Sequence, residues 1–286
     1  MFQNEFIERY KQWGFNAKEV ELQECIRVNT VKITEEELIQ RLKKRGFELE
    51  KVKFLENGYF VKRAKHSLSA LQEYLQGFFY IQEAAAQLPA MVLNASSEDI
   101  VLDCCASPGG KTTQLAVKAK AVIALESQHN RIPALLNNIE RLSIKNTIVC
   151  NTDARTFEPD MKFKKILIDA PCSGNYAIDR RWSQKQSLAN IKARSEIQKE
   201  ILSNIINCLE DNGEIVYSTC SLEPEENEMI VDWMIKELGM KVLDIDCFGE
   251  KGITKPFETE LDKSIEKCRR IWPGITQGFF IARLQL

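Results

Sequence analysis

Asp99-Ile100-Val101-Leu102-Asp103-Cys104-Cys105-Ala106-Ser107-Pro108-Gly109-Gly110-Lys111-Thr112-Thr113 is the stretch that decides the fold. It begins as a short apolar run between two acids, the pattern of a buried strand. A turn with one proline and two glycines comes next, and then a helix-forming stretch. Such a strand–turn–helix opens a parallel α/β sheet. Two phosphate-binding readings fail. Gly110-Lys111-Thr112 invites a P-loop, but that motif needs glycine at position 105, where the chain has Cys105. The Gly-x-Gly-x-x-Gly fingerprint is absent as well. What remains is a tight turn whose glycines let the backbone approach a ligand at the first switch point of the sheet.

Working outward, further apolar strands are expected at Ala121–Leu125, Thr147–Cys150, 165–168 and 214–217, with helices over 131–142 and 187–209 between them. Alternation of this kind predicts a parallel sheet covered on both faces. Upstream the pattern differs. Thr34-Glu35-Glu36-Glu37 before Leu38, Ile39 and Leu42 reads as a capped amphipathic helix, ending in Lys43-Lys44-Arg45-Gly46. Two β-like runs, 47–55 and 59–62, flank Asn57-Gly58, a hairpin signal. We expect a small α+β module over residues 1–80 and a larger α/β domain over 81–286, packed together without a linker.

In an open α/β sheet, ligands bind beyond the carboxyl ends of the strands. Glu126, ending the second strand, is placed for ribose hydroxyls, and Asp153, after the third, for an adenine. The fourth strand runs into Asp169-Ala170-Pro171-Cys172-Ser173-Gly174 and the fifth into Ser218-Thr219-Cys220-Ser221. Neighbouring strands deliver such residues to one crevice, so Asp169, Cys172 and Cys220 should converge there. A buried thiol is ordinarily a small hydrophobe. That suits Cys150 and Cys208 better than two cysteines in polar strand-exit turns.

Composition narrows the class. The 286 residues are 44% hydrophobic and 28% charged, as in a globular protein. No apolar run approaches the roughly 20 residues that span a bilayer, and the first residues lack an apolar signal core. We therefore expect no membrane association. Nine cysteines, an odd number without Cys-x-x-Cys spacing, point to free thiols in the cytoplasm. His66 and His129 are the two histidines, so no metal site is expected. The net charge of −2 argues against nucleic-acid binding by bulk charge, though residues 1–80 carry 14 Lys and Arg against 12 Asp and Glu.

The segments CCASPGGKTTQLA, LIDAPCSGN and VYSTCSLEPEENE resemble three signature motifs of the NOP2/Sun family of RNA 5-methylcytosine methyltransferases. FFYIQEAAAQLPAMVL, NNIERLSIKN, TDAR and TQGFFIARLQL add to the likeness over residues 80–286, and IRVNT resembles the family's N-terminal module. The resemblance implies a class I S-adenosylmethionine-dependent methyltransferase. Its Rossmann-like, seven-stranded, mostly parallel sheet would carry a small N-terminal RNA-binding module. It implies that Cys220 attacks carbon 6 of cytosine, because carbon 5 is too weak a nucleophile until a thiolate has added. Cys172 would assist release of the enzyme thiol, Asp169 would bond the base edge, and Lys111 would contact the base. The reverse assignment, with Cys172 attacking, is the DNA cytosine methyltransferase arrangement. The implied cofactor set is Cys105, Ala106, Ser107, Pro108, Gly109, Gly110, Lys111, Glu126, Arg131, Asp153 and Asp169.

The chain departs from the family after Gly174. There Asn175-Tyr176-Ala177-Ile178-Asp179 replaces the usual glycine-containing continuation, and Gly274 stands where many relatives have histidine. The target cytosine must be unpaired or flipped out. Arg41, Lys43, Lys44, Arg45, Lys62, Arg63 and Lys65, with Arg180, Arg181, Lys192 and Arg194, are candidates for an RNA-facing stripe. The small N-terminal module makes the chain most similar to the archaeal-type tRNA methyltransferases, with rRNA as the other substrate and a noncatalytic assembly factor as the other class. A monomer is expected.

Overall fold

The structure, a computed structural model, describes residues 4–64 and 66–286, so Lys65 of the expected cationic stripe lies outside the described residues. Strands β1 (Cys25–Val28), β2 (Glu48–Lys51), β3 (Gly58–Arg63) and β4 (Phe79–Ile81) form an antiparallel sheet in the order β2-β3-β1-β4. Helix Glu35–Lys44 packs on it through Leu38 and Leu42, both buried. The capping box is present: the Thr34 hydroxyl accepts from the Glu37 amide, and the Glu37 carboxylate accepts from the Thr34 amide. The hairpin is looser than a two-residue Asn-Gly turn. β2 ends at Lys51 and β3 begins at Gly58, because Val52 and Leu55 turn inward to be buried. A Cβ at Gly58 would lie 2.4 Å from Leu55 Cδ1.

The large sheet is built on β5 (Ile100–Asp103), β6 (Ala121–Leu125), β7 (Thr147–Cys150), β8 (Phe163–Asp169) and β9 (Leu209–Thr219), parallel in the order β7-β6-β5-β8-β9. Four further strands complete it: β10 (Lys241–Val242), β11 (Glu250–Lys251), β12 (Arg269–Ile271) and β13 (Phe279–Gln285). β13 lies antiparallel on β9. Among the described residues the sheet has nine strands rather than seven. The excess arises because β13 is long enough for β10 to pair at Leu284 and Gln285 while β12 pairs at 279–281, with β11 beyond it.

Alternation of side chains along each strand divides the core. Leu102, Ile166, Ile168, Ile215 and Tyr217 point to one face, against helices Leu188–Ile205 and Glu228–Leu238. Val101, Leu167 and Val216 point to the other, against Leu88–Leu93 and Gly110–Ala116. The strands are apolar on both sides because both sides are covered. No helix among the described residues is long and apolar enough to cross a membrane.

The two sheets are joined by polar side chains buried between them. The guanidinium of Arg27, on β1, donates to the Gly110 carbonyl (2.6 Å), Thr113 Oγ1 (2.8 Å), Gln82 Oε1 (2.9 Å) and Gln114 Oε1 (3.0 Å). Each of these partners is uncharged, and burial pulls the Arg27 pKa down to about 10. Asn29 donates to the carbonyls of Gly77 and Leu142. Helix Asn4–Lys11 docks beyond Cys220, with Tyr10 Oη donating to Glu223 (2.7 Å) and Arg9 to Glu225 (2.7 Å). Arg27→Lys keeps the charge and loses the planar fork. It should lower the unfolding free energy by about 2 kcal/mol in urea titration, and an unchanged midpoint would contradict the bridging role.

Candidate active site

β5, β6, β7, β8 and β9 all point their carboxyl ends at one cavity of about 360 Å³. The turn after β5 closes one side of it. The Ser107-Pro108 peptide is cis, and Gly109 has φ +105°, a left-handed value that a side chain rarely adopts. A Cβ there would also lie 2.9 Å from Leu135 Cδ1, so the turn presses on the helix behind it. Cys105 and Ser107 line the cavity, whereas Ala106, Pro108, Gly109 and Gly110 shape the turn behind them.

The two acids lie where the strand ends place them. Glu126 is almost wholly buried, accepts from the Gln128 amide (2.7 Å) and faces Arg131 at 3.4 Å. Arg131 also donates to the Ser107 carbonyl (2.7 Å), tying the first two strand ends together. Asp153 accepts from the Arg155 side chain, which holds its carboxyl below the usual range. The opposite wall is one face of helix Leu188–Ile205, contributing Arg194, Ile197 and Ile201. Sequence reading left Ile197 and Ile201 unassigned and gave Arg194, which lines this cavity, to the RNA-facing stripe, although a spacing of three and four residues marks one helix face. Carboxylates for hydroxyl and amino donors, beside an apolar wall for a flat ring, suit S-adenosylmethionine.

At the far end of the same cavity stand the two cysteines. Asp169 ends β8 opposite Ser218 on β9, so Cys172 and Cys220 leave the sheet side by side, with Sγ atoms 3.1 Å apart. The contact with Cys220, together with burial, pushes the Cys172 pKa well up. Asp169 Oδ2 accepts from Lys111 Nζ (2.6 Å) and its Oδ1 from the Ser218 hydroxyl (2.8 Å). Thus Cys220, Cys172, Asp169 and Lys111 are brought together. All nine cysteines are free thiols. Among the described residues there is no metal-competent group of three or more His, Cys, Asp or Glu.

The cationic stripe is partly tied down. Arg45 reaches Glu73 (3.4 Å), Lys62 reaches Glu50 (2.7 Å) and Arg180 reaches Glu19 (3.3 Å), while Arg41 lies over the Phe78 ring.

Sheet order, glycine turn and the cavity beyond the strand ends define a class I methyltransferase. Residues 90–285 match the family described as 16S rRNA methyltransferase RsmB/F, and residues 2–84 match the N-terminal domain of 16S rRNA methyltransferase RsmF. The chain belongs to the RsmB/F methyltransferase family, which bears out the resemblance read from its motifs. It is 34% identical over 287 residues to the 25S rRNA (cytosine-C(5))-methyltransferase nop2 of Schizosaccharomyces pombe, covering 95% of this chain and 47% of that protein. The chain therefore spans about half the length of that relative. A methyltransferase homologue from Pyrococcus horikoshii superposes with a TM-score of 0.89 at 35% identity, covering 99% of this chain and 95% of that one. The structure of NSun6 from Pyrococcus horikoshii with SFG superposes at 0.83 with 27% identity, covering 99% and 93%.

Asp103 lies beneath the site, fully buried. Its Oδ2 accepts from the Thr112 hydroxyl (2.7 Å), its Oδ1 has no hydrogen-bond partner among the described residues, and burial raises its pKa to about 6. A raised carboxyl contributes stability below the unfolded range near 4, and that contribution is lost as pH rises through 6. Relative to the parent, Asp103→Asn should gain about 3 kcal/mol between pH 3 and pH 8. Urea unfolding at the two pH values measures it, and a pH-independent difference would refute the assignment.

Proposed function

We propose that this chain methylates carbon 5 of cytosine in RNA, using S-adenosylmethionine held in the cavity beyond β5, β6 and β7. The observation that carries the reading is the thiol pair at 3.1 Å, at the end of that cavity and beside the Asp169–Lys111 ion pair. Glu126 would hold the ribose hydroxyls, Asp153 the adenine, and the turn Cys105–Gly109 with Arg131 the remainder. The sulfonium of the bound cofactor supplies an electrophilic methyl group.

The protein's own residues do the rest. Cys220 adds to carbon 6 of the base and makes carbon 5 nucleophilic. Asp169 meets the base edge, with Lys111 presenting a donor beside it. Cys172 takes the carbon 5 proton, after which the bond between Cys220 and carbon 6 breaks. The neighbouring sulfur and burial raise the pKa of the Cys172 thiol, so the thiolate it forms on giving its proton to solvent is a strong base for the carbon 5 proton, and the electron pair of that C–H bond expels Cys220 as a thiolate. The reverse assignment would require attack by a Cys172 thiolate that its neighbour and burial disfavour.

The region up to residue 80 serves in this reading as the RNA-binding module of a catalytic domain over 81–286. Preference for tRNA rested on the smallness of that module. Its match to the N-terminal domain of an rRNA enzyme removes that ground, and the rRNA named for the fission-yeast relative makes rRNA the first substrate to test.

Labelled S-adenosylmethionine incubated with rRNA fragments and unmodified tRNA should label cytosine carbon 5 in one of them. Cys220→Ala should reduce the rate at least about 1,000-fold while leaving cofactor binding intact. Cys172→Ala should accumulate a protein–RNA adduct resolved on denaturing gels. Cofactor binding without label on either RNA would overturn the proposal. If the cationic face holds phosphates, RNA affinity should fall at least about tenfold between 50 and 200 mM salt, and a flat salt profile would exclude that role.

A further inference from the structure

Past Thr219 the pairing of β9 ends, so the Cys220 carbonyl emerges into a region without a ladder to supply its donor. A buried carbonyl must find a partner elsewhere. It finds Asn175, which is fully buried and whose Nδ2 donates to the Cys220 carbonyl at 2.8 Å. The second hydrogen of the same amide goes to the Gly278 carbonyl at 3.1 Å, just before β13. Asn175 Oδ1 accepts from the Ala177 amide at 2.9 Å, closing a turn on its own segment. Every polar group of the side chain is engaged, by its own segment and by two segments remote in sequence.

The surroundings are shaped for this contact. Gly174 reaches φ +72° to bring the chain round after Cys172. At Gly278 a Cβ would meet Leu222 Cδ2 at 2.5 Å and Asn175 Nδ2 at 3.1 Å, so a side chain there would crowd Leu222 and press on the amide. The Cys172 turn is itself fixed from below: Glu226 accepts from the Ser173 amide (2.9 Å) and from Ser173 Oγ, and Trp182 Nε1 donates to the Ser173 carbonyl (2.7 Å). Asn175 is thus anchored to the Cys172 side and reaches across to the Cys220 backbone. It also lies in the stretch where the chain departs from the usual family continuation.

We infer that Asn175 is a positioning residue for Cys220, its side-chain amide setting the place of the attacking thiol relative to Cys172 by bridging the Cys220 and Gly278 carbonyls. The inference rests on attack by Cys220. Loss of the bridge frees the Cys220 turn. The thiol then becomes easier for a small electrophile to reach and harder to align with a bound base.

The test uses the full chain with Asn175→Ala, and with Asn175→Asp, which keeps the volume and leaves at most one donor for the two carbonyls. Alkylation by iodoacetamide is followed at Cys220 by peptide mass, and kcat and KM are measured on whichever RNA the parent methylates. In the folded variants, Cys220 alkylation should quicken at least about fivefold, and kcat should fall at least about tenfold with KM for RNA within about threefold. Alkylation within about twofold of the parent overturns the positioning role, whatever the turnover. Faster alkylation with unchanged kcat overturns it too. If Asn175→Ala does not fold, Asn175→Asp decides. A parent that methylates no RNA sinks the proposed activity, while the alkylation measurement still judges Asn175.

Discussion

The pairing of β8 with β9 is the constraint on which the chemistry depends. Both strands run the same way and place Asp169 opposite Ser218. Two strands that leave a sheet in parallel and in register deliver their exit turns to the same spot. Cys172 comes three residues after one partner and Cys220 two after the other, which brings their sulfurs to 3.1 Å. A slip of one residue would turn every side chain of one strand to the opposite face of the sheet. The fully buried Ile166, Leu167, Ile168, Ile215, Val216 and Tyr217 forbid such a slip, so the apolar core fixes the geometry of the polar site.

Beyond the strands, order is supplied by side chains. The run Glu223–Glu228 lies buried almost throughout and is shared among the turns of the site. Glu226 holds the Cys172 turn, while Asn227 accepts from Thr219 Oγ1 and donates to the Ser221 carbonyl (3.0 Å) on the Cys220 turn. Glu228 takes Arg270 Nε at 2.8 Å, and Arg270 donates in turn to the Leu222 carbonyl (2.7 Å). Buried charged and polar groups of this kind add little net stability, but they penalise any arrangement that leaves one of them unpaired. Here they suppress alternative conformations of the two cysteine turns.

The legible parts of the sequence were those where one residue's neighbours in the chain are also its neighbours in space. β6 and β7 begin and end as their apolar runs imply, and the Thr34 cap arises from residues three apart. The strand-exit acids and both cysteines were legible because the carboxyl end of a parallel strand is a place that sequence marks. Asn175 and Glu226 were not, since their partners lie 45 and 53 residues away and no local period records them. The hairpin that Asn57-Gly58 signals does form, but with a longer turn, because the local turn signal yielded to the burial of Val52 and Leu55. Strands β10 to β13 were not read from the sequence, and three of them, of two or three residues each, carry too few apolar positions to show a period.

Arg27 has a consequence for how such proteins change over generations. A guanidinium sunk between two domains, answered by neutral dipoles of the glycine-turn helix, has no second home in either half alone. Exchanging the small module alone would therefore remove the donor that the Gly110 carbonyl and the Thr113 hydroxyl now face. Any replacement must arrive with a cation of the same reach, or meet a helix whose carbonyl and hydroxyl have already ceased to need one.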